Sequence, residues 1–222
     1  MISLIKLANK NRRINIAFEL LLKTFGHQHW WPGDSPWEVA TGAVLTQNTN
    51  WNNVEKAISN LKRYALLSPE LTIDTPSEIL ANAIRPSGFF NLKTARLKNL
   101  ASWWLNNVKN NNQLKKTTIS TNELRQQLLE INGIGPETAD SIMLYAFNKP
   151  VFVIDAYTRR MASRHLNIPV AIDYTEIQNI FMRNLPEDPQ LYNEYHALIV
   201  YNAKYHCKKN NCNISCPLHH LP

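Results

Sequence analysis

The sequence predicts an all-α protein of 222 residues. Three observations point that way. Apolar residues recur mostly at spacings of three and four, as in Val39, Ala43 and Thr46 or Ile16 and Leu20. Alternating, strand-like runs are few. The breaks between periodic segments carry helix chemistry: Pro36, Pro76 and Pro136 suit first helical positions, and Ser35, Thr75 and Asp155 suit N-caps. At roughly 150 residues per domain, the chain holds one large domain or two small ones. Hydrophobic content of 44% against 18% charge excludes intrinsic disorder, and 12 Pro with 6 Gly excludes collagen-like character.

The periodicity predicts helices over 12–25, 36–47, 51–64, 76–83, 91–108, 121–131, 136–147, 156–166, 174–184 and 188–205. The second opens at Pro36 behind Ser35, the fourth at Pro76 behind Thr75, the seventh at Pro136 and the eighth behind Asp155. Asn106–Asn112 reads as a solvent loop, because asparagine competes for backbone hydrogen bonds outside helices. No run of about 18 apolar residues occurs, so no transmembrane helix is expected. The first 22 residues carry charges inside their apolar stretch and do not read as a signal peptide, which makes cytoplasm the expected location and a membrane no expected partner. A net charge of +7 favours a polyanionic partner.

The segment Ile131-Asn132-Gly133-Ile134-Gly135-Pro136 sets two glycines one residue apart between two helical patterns. This is a tight helix–helix hairpin. Glycine suits a turn that demands positive φ, and it lets another molecule approach the backbone closely. The amides opening the second helix, together with the helix dipole, form a phosphate seat; the plainer alternative is an ordinary turn with a glycine cap. Downstream, the apolar run Pro150-Val151-Phe152-Val153-Ile154 delivers Asp155. An aspartate there can cap a helix, and an ionised carboxylate in a dry setting can also stabilise positive charge developing on a sugar.

Together with Ala43-Val44-Leu45-Thr46-Gln47, these residues make nearly the whole chain, about 15–218, resemble the helix-hairpin-helix DNA glycosylase superfamily of endonuclease III-like proteins. The resemblance implies two helical lobes. One is a six-helix barrel over about 37–148 that includes the hairpin; the other, 1–36 plus 149–222, is built from both chain ends and carries the cysteines. The implied partner is double-stranded DNA with a damaged base, flipped into the cleft between the lobes, and the implied catalytic residue is Asp155. The expected state is a monomer, in a nucleoid-associated prokaryotic enzyme.

Where strand-cleaving members carry a lysine after the hairpin, this chain has Glu137. A carboxylate forms no imine with the sugar, so a monofunctional enzyme without AP lyase activity is expected. The plainer role of Glu137 is to suit a first helical turn. Trp31-Pro32, Trp51, Glu137 and the Arg85–Asn91 segment resemble the 3-methyladenine glycosylase branch, in which the aligned groups sandwich the extruded base. Paired Trp30-Trp31 could equally plug a core. An N-alkylated purine is cationic, and indole faces attract it by about 0.5–2 kcal/mol. The hole left in the duplex would be filled by Phe89, with Gln47 as second candidate, although Phe89 could instead be core. Candidate backbone contacts are Gly133, Gly135, Lys93 and Arg159, with Arg96 and Arg160 beside them. The superfamily's hairpin binds a monovalent cation through backbone carbonyls, here those of Leu129, Ile131 and Ile134.

Cys207, Cys212 and Cys216 cluster at the end of the chain, which argues for a metal site or its remnant rather than disulfides. Relatives with a [4Fe–4S] cluster space four cysteines with six, two and five intervening residues; here the gaps are four and three, and Pro222 stands near the expected fourth position. A degenerate or absent cluster is therefore expected, with His219 or His220 as the available fourth ligand and no cofactor required for activity. Two other functions stay open at this stage: a glycosylase/AP lyase for oxidised pyrimidines or mismatched bases, and a non-catalytic DNA-binding protein.

Overall fold

The computed structural model describes residues 2–109, 113–114 and 119–221, with side chains from Arg12 onward. It is about 64% helical. No sheet occurs among the described residues, and their only strand-like pairings are the isolated bridges Val108–Leu114 and Cys207–Cys212. The chain divides into two compact units, residues 1–30 with 150–222 and residues 31–149.

The 31–149 unit is arranged around α2 (Pro36–Leu45), whose residues from Trp37 to Leu45 are all buried. Its sequence, WEVATGAVL, has almost no polar face, so it settles only where other elements cover every side. Against it pack α3 (Trp51–Arg63), α6 (Phe90–Asn107) and α8 (Pro136–Ser141), while α4 (Pro69–Asp74) and α5 (Ser77–Ala83) lie on α6 and α7 (Thr121–Leu129) lies on α8. A π-helical segment, Ile142–Ala146, continues α8 and packs on α2. Ser35, Asn50, Ser68 and Ser120 each accept the amide three residues ahead, capping α2, α3, α4 and α7.

The other unit packs α1 (Ile2–Phe25) and α9 (Ala156–His165) on α11 (Pro189–Tyr205), with α10 (Tyr174–Asn184) against α1. Its core is aromatic: Phe152 stacks on Phe181 with centroids 4.5 Å apart, Tyr195 meets both rings and Tyr192 meets Phe152. Tyr195 donates its hydroxyl to the Ile14 carbonyl at 2.9 Å, and Asn15 reaches the Asn184 carbonyl at 3.1 Å.

Four details depart from the sequence expectation. Helix α4 was not anticipated, because six residues are too few to show a period. Thr75 ends α4 instead of capping α5, where Pro76 occupies the cap position without a side-chain bond. The single helix expected over 136–147 changes to π geometry after Ser141. Of the expected Asn106–Asn112 loop, Asn106 and Asn107 belong to α6 and residues 110–112 lie outside the described residues.

Candidate active site

In the unit that carries Asp155, residues 151–154 are buried without belonging to a helix or a sheet. Buried backbone must be paired, and here side chains of α10 do it: Gln178 Nε2 donates to the Phe152 carbonyl at 2.7 Å, and the Ile154 amide meets Tyr174 Oη at 3.3 Å. The run ends at Asp155, the N-cap of α9, whose Oδ1 accepts the Thr158 amide at 2.7 Å. The second oxygen, Oδ2, lies 3.6 Å from His196 Nε2 on α11, and the side chain is 13% exposed. Burial pushes this carboxyl upward, but the charge and hydrogen bond of His196, joined by the Thr158 donors, outweigh it and hold the pKa below the usual aspartate range. Capping and an ionised carboxylate therefore coexist at one residue. His196 went unnoticed in the sequence, where one histidine in the apolar run Tyr195–Val200 carries no signal of its partner.

In the other unit, Trp31 and Trp51 meet at right angles with centroids 5.0 Å apart, and Tyr145, from the π-helical segment, lies 5.0 Å from Trp31 on another side. Trp51 is fixed by its indole N–H on Glu55 Oε1 at 2.7 Å. Gly42 lets Trp31 lie against α2, since a Cβ there would stand 3.3 Å from the indole edge. Pro32 is exposed beside this trio, and Glu137 is exposed in the first turn of α8. Tyr145 was missed, because a π-helical turn shifts side chains off the 3.6-residue period.

The hairpin joins α7 to α8 and is clamped by Arg125, which grips the fully buried Asp140 through two bonds of 2.7 and 3.1 Å. Gly133 has φ +93°, and a Cβ there would collide with Arg96 at 2.3 Å. Gly135 differs. Its backbone is extended, a Cβ would meet nothing within 4 Å, and no side chain caps α8 above it. The Ile131 carbonyl accepts the Ile134 amide at 3.0 Å. Gln47 points inward, its amide donating to the Gly133 carbonyl at 3.1 Å and to Thr138 Oγ1 at 2.9 Å while its oxygen accepts from Arg96. As found, it is a strut between the end of α2 and the hairpin.

Phe89 stands out from this unit, 66% exposed, at the N-cap of α6 with φ +45° and ψ +33°. Gly88 before it is also left-handed, at φ +69°, and Phe90 is half-buried beneath the Arg85 guanidinium. The core alternative for Phe89 is excluded by its exposure. Lys93 requires a correction: it is 1% exposed, with Nζ bonded to the Leu45 carbonyl at 2.8 Å and the Ser87 carbonyl at 2.6 Å. An ammonium enclosed by two carbonyls cannot serve as a DNA-phosphate contact; it welds α6 to the end of α2. Burial, with Arg96 nearby, lowers its pKa to about 8. Arg159 is half-buried with one nitrogen on the Ile172 carbonyl at 3.0 Å, and Arg160 caps the end of α11 through the carbonyls of Ala203 and Cys207.

Cys207, Cys212 and Cys216 converge with His165, the last residue of α9, so that all four ligand atoms lie within 4.8 Å of one another. The fourth group is thus His165, while His219 and His220 are both exposed. Histidine 42 residues upstream of the first cysteine has no spacing signature to betray it. Hydrogen bonding from Cys216, reinforced by His165 and Arg164 against the cost of burial, lowers the Cys207 pKa to about 3.

Comparison with known proteins agrees with this architecture. Residues 41–187 match the family described as HhH-GPD superfamily base excision DNA repair protein. The Methanocaldococcus jannaschii protein named "Putative DNA repair glycosylase MJ1434" is 47% identical over 210 residues, 95% of this chain and 96% of the relative. The H. pylori 3-methyladenine DNA glycosylase MagIII, solved bound to 1,N6-ethenoadenine, superposes with a TM-score of 0.70 at 30% identity over 86% of this chain and 97% of that one. A non-covalent endonuclease III–DNA complex has a TM-score of 0.78 at 22% identity, covering 95% and 94%, and so shares the fold. The hairpin between α7 and α8 and the aspartate opening α9 both lie inside the matched stretch, and this chain belongs to the HhH-GPD superfamily as a DNA glycosylase of base excision repair.

Proposed function

We propose that the chain is a monofunctional glycosylase that flips alkylated purines of the 3-methyladenine type out of double-stranded DNA and hydrolyses their glycosidic bond. The observation that carries the substrate class is the aromatic trio of Trp31, Trp51 and Tyr145, with indoles crossed 5.0 Å apart. Crossed π faces suit a flat cation better than a neutral base. The base bound in the MagIII structure, 1,N6-ethenoadenine, is an alkylated purine, and that enzyme is 30% identical to this chain.

An N-alkylated purine needs little help to leave. Its C1′–N bond breaks with the electron pair passing to the ring, which loses its positive charge as the sugar gains oxocarbenium character. Asp155, ionised through His196 and Thr158, stabilises that charge, and water adds at C1′ while releasing a proton. Phe89 enters the stack that the base vacates. Glu137 supplies no amine, so no imine forms with the opened sugar and the strand stays intact.

The test is release from duplexes carrying methylated, ethenylated, oxidised and mismatched bases, scored before and after alkali. Alkylated purines should be released and nicks should require alkali; a borohydride-trapped adduct, or preference for oxidised pyrimidines, overturns the proposal. Asp155→Asn should lower the release rate by about 100-fold or more while duplex affinity is kept. Because the carboxyl pKa is depressed, wild-type release should hold level as pH falls from 7 to the ordinary aspartate value, and a loss near neutrality would assign the chemistry to another group.

A further inference from the structure

We infer that His165, Cys207, Cys212 and Cys216 hold a single zinc ion in a tetrahedral Cys3His site rather than a four-iron cluster. The distances decide between them. With metal–sulfur bonds of about 2.3 Å and a metal–nitrogen bond of about 2.0 Å, tetrahedral ligands stand roughly 3.5–3.8 Å apart. Here His165 Nε2 lies 3.3 Å from Cys207 Sγ and 3.6 Å from Cys212 Sγ, and no pair of ligand atoms exceeds 4.8 Å. A cube of four irons and four sulfides places its own atoms between the ligands and holds them farther apart, so this set does not fit one.

The surroundings have the character of a closed structural site. Cys207 and Cys216 are buried and Cys212 is half-buried, with Cys207 and Cys212 facing each other across an antiparallel bridge. Outer donors already address the sulfurs: Arg164 reaches Cys207 Sγ at 3.2 Å, and Asn202 Nδ2 reaches Cys216 Sγ at 3.4 Å. Three thiolates, a neutral imidazole and a divalent ion sum to one negative charge, which the Arg164 guanidinium offsets. Four ligands leave no open position for substrate or water, so the ion is structural: it ties the end of α9 to the chain beyond α11.

Full-length protein purified from medium containing both zinc and iron should carry one zinc per chain, without iron or acid-labile sulfide, and should be colourless. X-ray absorption at the zinc edge should resolve three sulfurs and one nitrogen. His165→Ala should weaken zinc retention at least tenfold in competition with a chromophoric chelator, His165→Cys should retain zinc through four sulfurs, and His219→Ala with His220→Ala should change nothing. Brown protein with stoichiometric iron and sulfide overturns the assignment. So does a metal-free protein that takes up no added zinc chloride, or a zinc shell lacking nitrogen. The wild-type absorption spectrum decides the matter even if the His165 variants do not fold.

Discussion

At Phe89 a single side chain bears a conformational cost for display. The left-handed region costs an L-residue roughly 1–2 kcal/mol, and a bulky residue there is a genuine outlier. This one is 66% exposed. Strain combined with exposure marks a residue kept for what it meets outside the fold. Phe89→Gly should therefore raise folding stability by about 1 kcal/mol while slowing base release, as read by denaturant unfolding beside single-turnover kinetics. Equal stability, or unimpaired release, would remove its case as the wedge. The residues legible in the sequence were those whose chemistry is local, such as Asp155 with its cap or Gly133 with its turn. His165, His196 and Lys93 were illegible because each takes its meaning from a partner dozens of residues away.

At the scale of an element, the hairpin's two glycines divide the labour. Gly133→Ala meets both positive φ and the Arg96 side chain, and should destabilise the fold by about 1–3 kcal/mol. Gly135→Ala meets open space on an extended backbone, so thermal stability should change by less than about 0.5 kcal/mol while duplex affinity falls, because the added methyl stands where phosphate would approach. Unchanged affinity for Gly135→Ala in fluorescence anisotropy would detach this hairpin from DNA. The clamp behind it is the buried Arg125–Asp140 pair, and Asp140→Ala, which strands a guanidinium, should cost about 3–5 kcal/mol in urea unfolding. Existence and type of the long helices followed from period and capping; α4 and the π-helical turn did not, one being too short for a period and the other departing from it.

For the molecule as a whole, stability against pH follows from groups that burial has displaced. Lys93, lowered to about 8, gives up its proton in the folded state while the unfolded chain keeps its own until about 10.5. The unfolded state binds more protons across that window, so stability should rise as pH increases through it. Tyr195 works in reverse: burial raises its pKa, the unfolded phenol ionises near 10, and stability should fall at higher pH. Melting temperature should accordingly climb between pH 8 and 10 and then decline, with Lys93→Met lacking the climb. A flat profile in the wild type would contradict the buried ammonium. The all-helical class was legible at this scale because helical periods and capping residues recur along most of the chain. The grouping of the first thirty residues with the last seventy-three depends on pairings that no local pattern announces.

That grouping also has a temporal side. Helix α1 is translated before residues 31–149, while α10 and α11, which pack on it, are translated only afterwards. The middle of the chain can close as soon as it emerges, but the opening segment must wait with its oily stripe bare. Vectorial synthesis thus delays closure of this unit until residues 174–205 have been made.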